Sequence, residues 1–196
     1  MACDISNGRI EQCKDSVSGL KAVYIINYDK LNSDSVDYLT TPVGSEDVID
    51  TWTPIDTATA LNLYKYELKS TANSFNTTIN TSRDNGTTFF EQTLVMNLKR
   101  QDAATTKNVK LLAYGRPRIV VRTMTDQFFL MGLDQGADMN AGTIASGSSL
   151  DSFNGYEGLT FVAQEELNAN FIDCSTEAQL AAVFNNGTDD AVIVTS

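Results

Sequence analysis

The stretch SFNTTINTSRDNGTTFFEQTLVMNLKR, residues 74 to 100, constrains the fold more than any other. Two Thr-rich or alternating runs flank Asn85-Gly86, a dipeptide that supplies the positive φ angles of a tight hairpin turn. An antiparallel pair of strands is therefore expected, with Phe90, Gln92, Leu94, Met96 and Leu98 at one parity on the core-facing side of the second strand.

Around this hairpin the chain reads as strand-rich. GLKAVYIINY (19 to 28) is a buried-strand pattern, and ALNLYKYELKS (60 to 70) alternates. RIVVRTM and QFFLMGL form a second hairpin about Thr125-Asp126, followed by strands at ADMNAGTIA, GLTFVAQEE and AVIVT. Asp102 is the expected N-cap of a central helix over AATTKNVKLLAY, and Gly115 suits a left-handed position at its end, with Pro117 unable to continue it. A second, short helix is expected at TEAQLAAVF, with Ser175 or Thr176 as its cap. Residues 29 to 54, rich in Asp, Ser and Thr, exceed an ordinary connection and read as an arm or long hairpin, mobile in the free subunit.

Charge is distributed unevenly. Residues 1–122 carry 14 acids and 14 bases, whereas 123–196 carry 11 acids and no base, so the last 74 residues hold the whole net charge of −11. The chain has no histidine, which excludes Ser-His-Asp and Cys-His chemistry. Cys3, Cys13 and Cys174 are an odd number without metal-ligand spacing and read as free thiols. The start of the chain lacks the pattern of a signal peptide, and no run reaches the ~18 apolar residues of a membrane span. Glu165-Glu166 and Asp189-Asp190 are adjacent pairs without the arrangement of an acid/base couple. Asp134, Asp138 and Asn140 lack the spacing of a calcium loop. No catalytic residue, metal ligand or cofactor is expected.

The basic block Lys99, Arg100, Lys107, Lys110, Arg116, Arg118 and Arg122 is the strongest unusual feature. A solvated helix face accounts for it, and nucleic-acid binding would need more aromatic partners than Tyr114. A third reading makes it an inter-subunit patch that meets the acid-only region of a neighbouring copy, a head-to-tail contact that closes a ring or extends a tube. Reversing Arg116 and Arg118 to Glu is then expected to weaken assembly and spare the fold.

The run from Phe89 to Gly147, followed by NGYEGLTFVAQEE, resembles virion proteins of tailed bacteriophages, in particular ring or tail proteins of crAss-like phages, and the opening MACDISNGRIEQCKDSVSGLKAVYIINY is similar to the start of the same group. The resemblance covers residues 1 to 172. It implies a mainly β (α+β) fold, a β-barrel or sandwich of tail-tube type with one central helix in 1–172, and a C-terminal helix-strand extension in 173–196. It also implies a homo-oligomeric ring of about six or twelve copies around the DNA channel. The partners implied are the chain itself, neighbouring neck, portal or tail ring proteins, and phage DNA passing without specific binding; no membrane is involved. The place is the virion, after assembly in the host cytoplasm. Asp126, Asp134, Asp138 and Glu165 are the candidates for an acidic lumen, and Asp29, Pro42, Trp52, Asn85 and Gly86 for contacts between rings. A β-sandwich receptor- or glycan-binding virion module is the alternative.

Overall fold

A computed structural model describes residues 17–42, 44–69 and 72–195; the expected free thiols Cys3 and Cys13 lie outside the described residues. Its strands follow from two kinds of sequence pattern. AVYII and IVV are continuous apolar runs because β1 (Leu20–Ile26) and β7 (Arg118–Thr123) are central strands buried on both faces. Alternating runs give β4 (Asn62–Glu67), β5 (Ser74–Ser82), β6 (Thr87–Lys99) and β10 (Gly155–Glu165), each with one covered side. β2 (Leu31–Tyr38), β3 (Ile49–Pro54), β8 (Phe128–Met131), β9 (Asp138–Ala145), β11 (Asn170–Ile172) and β12 (Val192–Val194) complete the set, with α1 (Ala103–Tyr114) and α2 (Glu177–Val183).

The strands form an eight-stranded sheet ordered β12-β4-β1-β7-β8-β11-β3-β2 and a four-stranded sheet ordered β5-β6-β10-β9. The architecture is mixed α+β, with two helices and two open sheets among the described residues, neither closed into a barrel nor strongly curled. This corrects the expected tail-tube type of barrel or sandwich. Closure requires the two edge strands of a sheet to find each other. Here β11 and β12 instead add in parallel to β3 and β4, so the large sheet ends in β12 on one side and β2 on the other.

The period of two in β1 and β7 divides the interior between the faces of the large sheet. Ala22, Tyr24, Ile26 and Val120 pack with Trp52 and with Leu180 and Phe184 near α2. Val23, Ile119 and Val121 pack with Leu94, Met96 and Phe161 of the small sheet and Val109 of α1. Residues 173–195 are thus woven into the body, since α2 covers one core and β12 extends the large sheet.

Two local expectations need correction. Asp102 caps α1 by accepting from the Thr105 amide at 2.7 Å, but Gly115 is extended (φ −98°, ψ 172°) and donates its amide to the Leu111 carbonyl, so no left-handed residue ends the helix. The described residues of segment 29–54 form the expected long hairpin, of antiparallel β2 and β3, with Leu31, Ile49 and Trp52 buried along it; the correction concerns Trp52. Trp52 donates from Nε1 to the Asn32 carbonyl at 2.8 Å and cannot serve as a contact between rings, because its side chain belongs to the core.

Candidate functional site

Arg118 and Arg122 stand two apart from Val120 and share its side of β7. Arg118 therefore points into the core. Its Nε donates to the Leu133 carbonyl at 2.9 Å, and its Nη1 donates to the carbonyls of Tyr28 (2.6 Å) and Leu31 (2.8 Å). The guanidinium lies 4.2 Å from the Tyr28 ring centre and 5.1 Å from that of Trp52, within cation–π range. Only 1% of the residue is accessible, and desolvation draws its pKa below the ordinary arginine value. Arg118 is a clamp between the chain entering β2 and the chain leaving β8, and the expected patch residue is absent from the surface.

Glu165 is also buried, because its parity on β10 matches that of Phe161 and Ala163. Its carboxylate accepts the amides of Asp134 (3.2 Å) and Gln135 (2.9 Å). Burial pushes its pKa up against these hydrogen bonds. Glu165 thus ties down the loop after β8 and cannot face a lumen. Glu166, one residue on, is exposed, as the alternation of a strand requires.

Arg122 stands in an ion network. Its Nε donates to Asp126 Oδ1 at 2.7 Å, with Nη2 2.6 Å from the same oxygen, and its Nη1 donates to Glu177 Oε1 at 2.9 Å. The same Glu177 oxygen accepts from Lys65 (2.8 Å) and from the Tyr24 hydroxyl (3.0 Å), while Lys21 reaches Asp126 at 2.9 Å. Glu177 opens α2, where a carboxylate is favoured by the helix dipole, and the network fastens that helix to β1, β4 and β7. Sequence reasoning missed Glu177, Lys65 and Tyr24. The one available signal was Thr176-x-x-Gln179, a capping box in which the Gln179 amide donates to Thr176 and the Gln179 side chain accepts from the Ser175 amide.

The network has a pH signature. Partial burial opposes ionisation of Glu177, but Lys65, Tyr24 and Arg122 outweigh it, and its pKa falls below the ordinary 4.5. A depressed carboxyl stabilises the fold fully above that value and loses its contribution as pH drops through the folded-state pKa. Urea unfolding followed from pH 6 to pH 3 should show stability falling below about pH 4.5, and Glu177→Gln should flatten part of that fall. An identical pH profile in the variant would remove Glu177 from the network.

Arg116 forms a two-pronged pair with Asp138, Nε to Oδ1 and Nη2 to Oδ2, both at 3.0 Å, with both side chains about half exposed. Two of the four acidic lumen candidates, Asp126 and Asp138, are therefore partnered within the chain. Asp134 is exposed, and its carbonyl accepts from the Tyr28 hydroxyl. Of the basic block, Arg116 is thus exposed but paired, while Lys99, Arg100, Lys107 and Lys110 are exposed and without an ion pair among the described residues.

The hairpin of β5 and β6 supplies a second unusual surface. β10 pairs with β6 from Lys99 only as far as Phe90, opposite Glu165, whereas β5 continues alongside β6 to the pair Ser82 and Thr87. Residues 80–89 overhang as a two-stranded ribbon about 15 Å long. Asn85 and Gly86 sit exposed at its tip, with Gly86 at φ +64°. At its root Ile79 pairs with Phe90 on the core-facing side, yet Ile79 is 64% exposed because no second layer extends beneath it. Asp29 and Pro42 are likewise exposed.

No family model, curated protein or solved structure matches the chain.

Proposed function

We propose that this protein is a structural virion subunit of a tailed bacteriophage, closing into a homo-oligomeric ring of the neck or tail around the DNA channel and turning over no substrate. The resemblance of residues 1–172 to such ring and tail proteins supports the role. The overhanging ribbon is the observation that carries it. Ordering a residue costs about 1–2 kcal/mol of backbone entropy, and an isolated pair of strands is marginal in water. Ten residues held outside the body, with an apolar root at Ile79, gain burial when a neighbouring subunit or ring covers them.

The charge balance agrees with passage of DNA. Each Lys or Arg contact with phosphate adds affinity by counterion release, so a conduit works best with few of them. Arg118 and Arg122, turned inward, are withdrawn from any such contact. Neighbouring portal, neck or tail rings are the partners, met in the host cytoplasm during assembly and kept in the virion.

Electron microscopy of the purified protein across a concentration series tests the proposal, and rings with a central hole are the expected result. A compact monomer at every concentration that binds sugar would transfer the chain to the receptor- or glycan-binding reading.

A further inference from the structure

We propose that the cleft between the end of β6, the start of α1 and β4 receives the acidic loop 185–190 of a second copy, an end-to-end contact that rests on the assembly role proposed above. The cleft has a volume of about 620 Å³, and Tyr64, Tyr66 and Asn108 line it with Lys99 and Arg100 on its rim. Its carboxylates are already engaged. Glu67 pairs with Lys69 at 2.9 Å, and Asp102 accepts from the Thr105 amide as the helix cap. Among the described residues Lys99 and Arg100 form no ion pair, nor does Lys107, which stands one turn beyond Ala104 on the cleft's flank.

The backbone gives a second, independent sign. Arg100 has φ +64°, with its amide donating to the Asn154 carbonyl at 2.7 Å. Glycine takes that conformation freely, while an ordinary side chain costs about 1–2 kcal/mol there. A cation at such a position, in place of glycine, fits a use for its charge beside the cleft.

The partner is identified by chemistry and by place. Asp189 and Asp190 are exposed and form no ion pair among the described residues. Their loop is already ordered, since Asn186 Oδ1 accepts the amides of Thr188 (2.9 Å) and Asp189 (2.7 Å), and Asn185 donates to Asp190 at 2.6 Å. A preorganised loop loses little entropy on docking. The loop leads into β12, whose far end, Val194 and Thr195, lines the cleft. Loop and cleft thus lie at opposite ends of β12, roughly 13 Å apart along the chain from Asp190 to Val194, and no ion pair joins Asp189 or Asp190 to Lys99 or Arg100 within the described residues of one copy. The two surfaces differ, which makes the contact heterologous and able to repeat from copy to copy. The net charge of −11 favours this occupant over a polyphosphate strand.

Sedimentation across a concentration series, with anisotropy of a labelled single-stranded DNA oligonucleotide alongside, tests the contact. Lys99→Glu with Arg100→Glu should raise the assembly midpoint about tenfold, Asp189→Lys with Asp190→Lys should do the same, and the combined four-site reversal should restore assembly. Unchanged melting in each variant shows that the fold is intact. Wild-type assembly that survives all reversals overturns the contact and leaves the ring proposal standing; a wild type that never assembles overturns both. Unchanged assembly with oligonucleotide binding lost in Lys99→Glu, Arg100→Glu assigns the cleft to nucleic acid and overturns the loop as occupant.

Discussion

Arg118→Ala is expected to destabilise the protein by about 4 kcal/mol, a large part of the ~5–15 kcal/mol that holds a typical domain. The substitution strands the carbonyls of Tyr28, Leu31 and Leu133 and empties the space between the Tyr28 and Trp52 rings. Arg118→Lys should recover only part of the loss, because an ammonium cannot reproduce the planar fork that reaches all three acceptors. Arg116→Glu should cost far less than Arg118→Ala, since its pair with Asp138 is half exposed and screened by solvent. Urea unfolding of the three variants provides the comparison, and a loss below about 1 kcal/mol for Arg118→Ala would dismiss the clamp. The double reversal of Arg116 and Arg118 therefore cannot probe assembly, contrary to the expectation from sequence, because its second member disrupts the core.

Shortening the overhang should have the largest effect on assembly. Replacing residues 80–89 by Asn-Gly keeps the register of Ile79 with Phe90 and joins them through a favoured two-residue turn. The shortened protein should melt as the wild type does, because the ribbon adds nothing to either core. Its assembly should be weakened by about 100-fold, since Phe89, the one apolar side chain removed, contributes roughly 1.5–3 kcal/mol when covered, and the backbone that flanks Ile79 in the contact goes with it. Ile79→Ser should give a smaller loss in the same direction. Rings that form at the wild-type concentration after shortening would show that the ribbon is not an interface.

The elements were more legible than their arrangement. Asp102 and Thr176 act through hydrogen bonds to amides three residues away, so a local pattern suffices to place both helix starts. The turn at 83–86 and the strands beside it follow from the same short range. Arg118 and Trp52 were misplaced for a different reason. A buried arginine is stabilised by carbonyls of residues 28, 31 and 133, and nothing adjacent to it in sequence announces them. Parity was available, since Arg118 and Arg122 share a side with Val120, but a central strand has two inward sides and parity does not choose the outward one. The openness of the large sheet was hidden for a related reason: β11 and β12 pair in parallel with strands far back in the chain, and a short apolar run such as VIV does not specify its neighbour.

That parallel pairing has a consequence for the order of events during synthesis. β12 meets β4 through Val192 and Asn62, and Tyr24 of β1 meets Glu177 across a still wider interval. The ribbon hairpin and the β7–β8 hairpin close over short loops and can form as soon as they leave the ribosome. The edge of β4 and the apolar face beneath α2 must wait for residues made more than a hundred positions later. In the interval an unfinished sheet edge and bare apolar side chains are exposed together, the combination most open to pairing with the wrong strand. Synthesis of this subunit in quantity should therefore depend more on holdase chaperones, or on slow growth at low temperature, than its final stability would suggest.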